Sequence, residues 1–223
     1  WSSDVCSSDL SDYPEGRHDL PPKCKHITAH QGCLVLANKS FESPSEVFFS
    51  LVQFNAISGE IGSEYFPNNS NSVILESVNG GAITGVKTLR DNLYVFHENT
   101  SSLLSGDIST LGGQSLRQDL LSSQGELGSF ASQAIQEYDG SLTFLSDEGI
   151  MTINNNKPYP VELSKNIKPL IIDKNFDRSL AVSFFNADED IMGFYLPVKD
   201  ETVTNSININ NVDSTLFIYD VKD

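Results

Sequence analysis

Two cysteines and two histidines near the beginning of the chain have a spacing that could hold a zinc ion. Cys24, His26, His30 and Cys33 form a Cys-x-His-x3-His-x2-Cys set, and thiolate and imidazole groups are the usual zinc ligands. Zinc modules, however, present paired ligands on tight turns, whereas this segment has the pattern of a strand, a Gly-containing turn and a second strand. Alternate side chains on such a hairpin point to opposite faces. The sequence therefore predicts buried or half-buried thiols in a reducing compartment, and no metal site.

Two acidic segments could supply catalytic or cation-binding groups. Ser146–Thr152 is similar to the Asp-box of sialidase propellers, but Asp147 comes one place early and no aromatic residue follows. Asp188–Asp190 lacks the Gly and the following Glu of an EF-hand calcium loop. Because Asp, Glu and Gly at these positions are typical of hairpin turns, we expect a solvated turn at both places.

The sequence carries none of the common enzyme signatures. It has no Gly-x-Ser-x-Gly elbow, no Walker loop, no His-Glu-x-x-His and no Gly-x-Gly-x-x-Gly motif. The four histidines, His18, His26, His30 and His97, are too scattered to nominate a catalytic triad. We therefore predict that the chain is not an enzyme and that it has no catalytic residue, no cofactor and no bound metal.

The composition is that of a folded, acidic protein. The 223 residues are 39% hydrophobic and carry a formal net charge of −16. That charge repels a phosphate backbone, and the densest basic stretch, Lys23 to His26, is short, so a nucleic-acid reader is disfavoured. No apolar run approaches the roughly 18 residues that cross a bilayer, so no membrane span is predicted.

Short apolar strands recur along the chain between turn residues, and helical periodicity is nearly absent, which indicates an all-β fold. The predicted strands are His26–His30, Cys33–Ala37, Glu46–Leu51, Ala82–Thr88, Leu93–His97, Ser102–Ser105, Ser132–Glu137, Leu142–Leu145, Ile150–Ile153, Leu180–Phe185, Ile191–Pro197 and Leu216–Tyr219. One short inserted helix is predicted over Leu163–Ile172, with Ser164 as its N-cap.

Four segments repeat one pattern of strand, tight turn and second strand. These repeats are residues 26–37, 82–97, 132–146 and 180–195. Their starts lie about 50 residues apart, a period typical of β-propeller blades. The sequence thus predicts a partial β-propeller, with a β-sandwich of similar hairpins as the alternative. The segments 54–79 and 108–130, rich in Ser, Asn, Gly and Gln, are predicted to be long loops.

The two ends of the chain differ from the repeats. Residues 1–10 resemble the translation of a sequencing adapter, as occurs in metagenomic sequence, and we expect them to be an artefact. Residues 11–25 are expected to be a leader or linker, and residues 26–223 an incomplete propeller domain, a fragment of a longer chain. The predicted blade core consists of Ile83, Leu93, Val95, Phe96, Leu142, Phe144 and Leu145.

Over most of residues 24–223 the chain resembles the tail nozzle, or head-to-tail stabilisation, proteins of short-tailed bacteriophages. The matching phrases occur in the family's order and are Ala29–Leu36, Pro44–Ser50, Gly80–Val86, Asp91–Phe96, Leu104–Asp107, Gly140–Ile150 and Leu163–Ile167. The chain departs from the family at Phe49-Ser50, where these proteins commonly have Trp-Ser.

This resemblance implies a non-enzymatic virion structural protein that forms a ring homo-oligomer and continues the DNA channel of the tail. Its expected partners are further copies of itself, neighbouring tail or connector proteins, and DNA that passes through without specific binding. Its expected location is the phage tail of the virion, after synthesis in the host cytoplasm. An acidic lumen would suit that role because it repels the transiting DNA.

Two other functions stay open. A glycan- or receptor-binding propeller would gather aromatic side chains at one face, and Tyr65, Phe66 and Tyr159 are the candidates. A glycosidase-type propeller would need paired carboxylates about 5 to 10 Å apart at its central axis, and the sequence does not place such a pair.

Overall fold

Four antiparallel sheets make up the described part of the chain. The computed structural model describes residues 21–39, 42–50, 66, 71–75, 81–108, 116–121, 127–154, 157–171, 176–198 and 214–220. Within these ranges, fifteen strands form three sheets of four strands and one of three. Each sheet consists of strands that follow one another in the chain, which is the topology of a propeller blade. The all-β prediction is confirmed.

The first sheet belongs to a compact unit of its own, which comprises Trp1–Leu75 and Gly106–Arg117. Its strands, in hydrogen-bonded order, are β1 (His26–His30), β2 (Cys33–Lys39), β3 (Ser43–Phe49) and β4 (Ser72–Ile74). Gln31 and Gly32 both have positive φ, 48° and 79°, as the two-residue hairpin turn between β1 and β2 requires. Val35, Val47 and Phe49 are fully buried on one face of the sheet.

The other three sheets belong to a second unit, apart from Arg117 at the start of β8. The second sheet contains β5 (Ile83–Leu89), β6 (Asn92–His97), β7 (Ser101–Ser105) and β8 (Arg117–Leu120). The third sheet contains β9 (Ile135–Tyr138), β10 (Ser141–Ser146), β11 (Gly149–Asn154) and β12 (Lys157–Glu162), and the fourth contains β13 (Val182–Asn186), β14 (Ile191–Pro197) and β15 (Ser214–Asp220). Each predicted repeat forms the first hairpin of one sheet, so the period of the sequence is the period of the fold.

The third sheet is buried on both of its faces. One face contributes Leu142 and Phe144 to a cluster shared with the second sheet, in which the rings of Phe96 and Phe144 lie 4.8 Å apart. The other face contributes Leu145 and Ile150 to a cluster shared with the fourth sheet. A two-layer sandwich would leave one face of each sheet in water. The serial face-to-face packing is therefore that of propeller blades, and the sandwich alternative does not describe it.

The predicted blade core is confirmed in full. All seven of its residues are at most 1% exposed, and they are Ile83, Leu93, Val95, Phe96, Leu142, Phe144 and Leu145. Six of them lie on β6 and β10, where residues on both faces of the strand are covered by neighbouring sheets or chain, and Ile83 lies on β5.

Three short strands were not predicted. β4 and β8 lie inside the segments 54–79 and 108–130, which the sequence predicted to be loops, and β12 carries two prolines. All three are edge strands. An edge strand is held by backbone pairing on one side and tolerates polar residues and proline, so it shows no hydrophobic alternation. The loop prediction was wrong at β4 and β8 for that reason.

The predicted helix over Leu163–Ile172 shrinks to one turn, α1 (Lys168–Ile171). Pro169 has no N–H and is accommodated only in the first turn of a helix, which prevents a start as early as residue 163. Two predicted strands also begin later than expected, because Ser132–Ala134 and Arg178–Leu180 form 3-10 turns. No helix in the described ranges is both long and apolar enough to span a membrane.

Candidate functional site

The Cys and His set lies on the first hairpin but does not converge. His26 and His30 are on the same face of β1, because they are four residues apart, and Cys33 pairs directly with His30. The expectation that this spacing puts them on opposite faces was wrong. The two histidines are nevertheless about 13 Å apart along the strand, too far to share one ion. Among the described residues, no three His, Cys, Asp or Glu side chains are placed to hold a metal.

The two thiols in and just before the first sheet are shielded from water, as predicted. Cys24 is partly buried and Cys33 is buried. Burial is the main cause that raises the pKa of Cys24 to about 11, opposed by Lys39 and assisted by Glu46. Burial likewise raises the pKa of Cys33. Because the thiolate is the reactive and metal-binding form, these groups are poor nucleophiles at neutral pH.

The acidic segment Ser146–Gly149 is the turn between β10 and β11, as predicted. The Ser146 hydroxyl accepts from the Glu148 N–H and donates to the Gly149 carbonyl, both at 3.1 Å. The Asp147 carboxylate pairs with Arg178 at 2.7 Å, and Glu148 pairs with Lys168. These carboxylates tie the turn to the segment that leads into the fourth sheet.

The second acidic segment, Asp188–Asp190, is the exposed turn between β13 and β14, which confirms that prediction. Asn186 organises this turn, since its side chain accepts from the Asp188 N–H at 3.0 Å and donates to Glu189 at 3.3 Å. Asp190 closes the turn with a positive φ of 53°. The segment therefore has the contacts of a hairpin tip.

His97 is fully buried at the end of β6. Its Nδ1 lies 3.1 Å from the Gly81 carbonyl oxygen, so Nδ1 carries the proton and donates, while the buried Nε2 has no hydrogen-bond partner within the described ranges. Burial lowers the pKa of His97, and the Gly81 hydrogen bond offsets part of that shift. His97 is thus a neutral, structural histidine in the fold.

A polar cleft of about 200 Å³ opens between the third and fourth sheets. Its lining residues are Tyr138, Asp139, Ser141, Thr143, Thr152, Asn154, Leu163 and Met192. The polar ones stand in two rows on one face of the third sheet, because Ser141 pairs with both Tyr138 and Asn154, and Thr143 pairs with Thr152. Sequence reasoning missed this site. The sequence signal that could have identified it is the pair of polar residues Ser141 and Thr143. They lie on the same face of β10 as the buried Leu145.

The outer face of the fourth sheet is apolar and exposed. We define this outer face by the side chains that point away from the third sheet, which are Val182, Phe184, Tyr195, Leu216 and Ile218. They are 38% to 59% exposed. The pairing of Val182 with Tyr195, and of Tyr195 with Leu216, makes them neighbours across all three strands. A contiguous apolar patch of this kind is a candidate interaction surface.

The first sheet also carries exposed apolar side chains on one face. Ile27 and Ile74 are 64% and 71% exposed. Ile27 pairs with Leu36, and Leu36 pairs with Phe48, so Ile27 and Phe48 lie on one face of the sheet. Glu46, two residues before Phe48, is on that face too. Because Ile74 pairs with Glu46, Ile74 shares the face with Ile27. We call this the first-sheet face.

The aromatic residues proposed for glycan recognition do not form a described surface. Phe66 is only 5% exposed, so it cannot stack on a ligand, and that part of the prediction was wrong. Tyr65 and the side chain of Tyr159 lie outside the described part of the structure.

Comparison with known proteins adds little to this picture. No family model matches the chain, and no curated protein matches it. The structure of Kluyveromyces lactis Hsv2p is 12% identical, with a TM-score of 0.37, and the match covers 87% of this chain and 59% of that one. A second Hsv2 structure from that organism, with a complete loop 6CD, is also 12% identical, with a TM-score of 0.36. That match covers 87% of this chain and 60% of the other. This chain thus spans about three fifths of their length, and its fold assignment rests on its own four sheets.

Proposed function

We propose that the chain is a non-enzymatic structural component of a phage tail, of the nozzle or head-to-tail stabilisation type, and that copies of it meet through the outer face of the fourth sheet. Two observations support the proposal. The first is the ordered series of phrases from Ala29 to Ile167 that resembles that family. The second, which carries the assembly role, is the exposed apolar surface of five large side chains on the fourth sheet.

The geometry of the outer face favours docking against another β-sheet. Its side chains stand on three paired strands, as do the buried side chains on the opposite face of the same sheet. The Phe184 ring lies over Gly193, where an added methyl group would overlap the ring. This contact flattens the centre of the face, so that a second sheet can approach closely.

A ring of more than two copies requires that each copy present two different surfaces, because its contacts are head-to-tail. The first-sheet face supplies the second surface, with Ile27 and Ile74 both exposed. In the proposed ring the outer face of one copy packs on the first-sheet face of the next. The net charge of −16 opposes this contact, so added salt should strengthen it.

Sedimentation velocity on the purified protein, at rising concentration, tests the proposal. We expect a mass above the 24.5 kDa monomer, and we expect Leu216→Glu and Ile27→Glu each to lower it. Leu120→Glu is the matched control, because Leu120 is 50% exposed and Leu216 49%, and it should leave the mass unchanged. Far-UV circular dichroism verifies that the variants are folded. A monomeric wild type at every concentration, or equal loss of mass in all three variants, contradicts the proposal.

The same proposal covers the further partners and the location. Neighbouring tail or connector proteins would bind the assembled ring, which would be made in the host cytoplasm and incorporated in the virion. DNA would pass without specific binding because the chain is strongly acidic. A stable complex of the protein with linear duplex DNA at physiological salt would contradict this part.

The second candidate function is a glycan- or receptor-binding propeller. The observation that favours it is the polar cleft between the third and fourth sheets, which combines hydroxyl, amide and carboxylate groups with the Tyr138 ring. A glycan array with the purified protein tests it in general terms. No signal above background on the array would count against this candidate and leave the assembly role as it stands.

A further inference from the structure

We propose that β15 pairs edge to edge with the β15 strand of a second copy of the chain, antiparallel and about a two-fold axis at Phe217. This contact is distinct from the head-to-tail contact of the proposed ring and does not depend on it. It uses the backbone at one edge of the fourth sheet, whereas the ring contact uses the side chains of the outer face.

The last strand of each of the first three sheets is protected against pairing with another chain. β4 has only three residues, and β8 has four, of which Arg117 and Asp119 are charged. β12 carries Pro158 and Pro160, which have no N–H to donate, and its pairing with β11 contains a register shift. Short length, charge, proline and irregular pairing are the usual means by which natural proteins protect sheet edges.

β15 has none of these protections. Its seven residues pair with β14 in unbroken register, without proline, and their only charge at neutral pH is that of Asp220 at the end. Within the described ranges no strand pairs with its other side, so the fourth sheet has three strands where the others have four. The first strand of that sheet, β13, lies against another segment, because Ser183 Oγ donates to the Gln133 carbonyl oxygen at 3.0 Å. A long, regular and uncharged edge strand of this kind predicts pairing with a further strand.

The sequence of β15 is complementary to itself in an antiparallel pair centred on its midpoint. Phe217 would lie opposite Phe217 of the second copy, and aromatic residues directly opposite each other stabilise antiparallel strands. Leu216 would lie opposite Ile218 of the second copy. The two Asp220 residues would stand at opposite ends of the ladder, about 20 Å apart along the strands. Because the like charges are kept apart and the apolar residues meet, a second copy fits this edge.

The pairing would continue both faces of the fourth sheet across the two copies. Phe217 packs at the margin of the apolar cluster shared with the third sheet. Leu216 and Ile218, on the outer face, are 49% and 59% exposed. The strand of the second copy would place the same residues beside them and cover apolar surface that now faces water. Burial of that surface would add to the new backbone hydrogen bonds.

Sedimentation velocity of the Ile27→Glu protein, in which the proposed ring contact is disabled, tests the pairing separately from the ring. We expect a dimer, of twice the 24.5 kDa of the chain, because a two-fold contact uses up the edge of both copies. Ile218→Lys in that background should give a monomer, since a charged residue at an edge opposes pairing. Val182→Lys is the matched control, because Val182 is also an exposed residue of the outer face but lies on β13, at the opposite edge of the sheet. It should leave the dimer intact.

The outcomes distinguish the two contacts. A monomeric Ile27→Glu protein would overturn the edge pairing and leave the ring proposal standing. Equal masses of the two lysine variants would also overturn the pairing, because the effect would then not be specific to β15. Open-ended growth of the Ile27→Glu protein would do so as well, since a two-fold contact stops at two chains. Far-UV circular dichroism verifies that each variant is folded.

Cysteine cross-linking tests the register and does not depend on the lysine variants. Directly opposite residues of an antiparallel pair have Cα atoms about 4.5 to 5.5 Å apart, which a disulfide spans, whereas diagonal neighbours at about 7 to 8 Å are too far apart. In an Ile27→Glu, Cys6→Ser background the remaining thiols, Cys24 and Cys33, are shielded. With copper phenanthroline as the oxidant, Phe217→Cys should give a covalent dimer and Ile218→Cys should not. No covalent dimer from Phe217→Cys, or as much from Ile218→Cys, would overturn the proposal.

Discussion

Replacement of Phe144 by Ala should cost about 3 to 5 kcal/mol of unfolding free energy. Phe144 is completely buried in the cluster between the second and third sheets, with its ring 4.8 Å from that of Phe96 and at 57° to it. The change removes a whole ring from a site where neighbouring sheets hold their side chains in place, so the cavity cannot collapse fully. Equilibrium urea unfolding, followed by far-UV circular dichroism, measures the cost.

A double-mutant cycle separates the contact between the two rings from burial alone. Phe→Leu changes at 96 and 144 remove less volume than Phe→Ala, so each should cost less than the roughly 3 to 5 kcal/mol of the alanine change. The rings prefer a tilted contact, and we expect a coupling energy of about 0.5 to 1.5 kcal/mol. Phe194, in the cluster on the other face of the third sheet, provides the control. Phe96→Leu and Phe194→Leu should be additive.

Two results would refute this description of the packing. A cost below about 1 kcal/mol for Phe144→Ala would mean that the residue is not in a closed core. A coupling between Phe96 and Phe144 no larger than that between Phe96 and Phe194 would mean that the second and third sheets do not pack as described.

Three further predictions follow from single contacts and can be measured in the same unfolding assay. Gly128→Ala should cost about 1 to 3 kcal/mol or more, because a methyl group there overlaps the His97 and Glu98 carbonyl oxygens. Ser164→Ala should cost about 1 to 3 kcal/mol, since Ser164 Oγ is the buried acceptor, at 2.9 Å, of the Ile150 N–H; an unchanged urea midpoint would contradict that role. Burial lowers the pKa of His97 below its ordinary 6.5, so the unfolded chain binds the proton first, and stability should be complete above about pH 6.5 and fall below it. In His97→Gln the free energy of unfolding should fall less steeply as the pH is lowered. An equal pH dependence in both proteins would contradict this role of His97.

The arrangement of strands could be predicted from the sequence wherever one residue in two is apolar or a turn residue fixes the hairpin. Gly32, Asp139 and Gly140 adopt the positive φ values that their types favour, and the two turns fix the register of β1 with β2 and of β9 with β10. The apolar residues Leu142, Phe144 and Leu145 between turn residues identified the core of the third sheet. These signals are local, so a single sequence contains them.

The features that sequence reasoning missed depend on partners distant in the chain. β4 and β8 are strands only because β3 and β7 offer backbone groups to pair with. Ser164 looked like a helix cap, but its hydroxyl accepts from Ile150, 14 residues earlier. The polar cleft needs the fourth sheet to cover Thr143 and Thr152. Spacing along the chain does not specify any of these contacts.

The most direct test of the central claim is footprinting of the outer face of the fourth sheet as copies associate. Carbene labelling of Tyr195 and Leu216, read by mass spectrometry, should fall as protein concentration rises, because the proposed contact covers both side chains. Labelling of Leu120, similarly exposed on the second sheet, should stay constant. Constant labelling of Tyr195 and Leu216 over a concentration range in which the mass increases would contradict the claim, because the copies would then meet elsewhere.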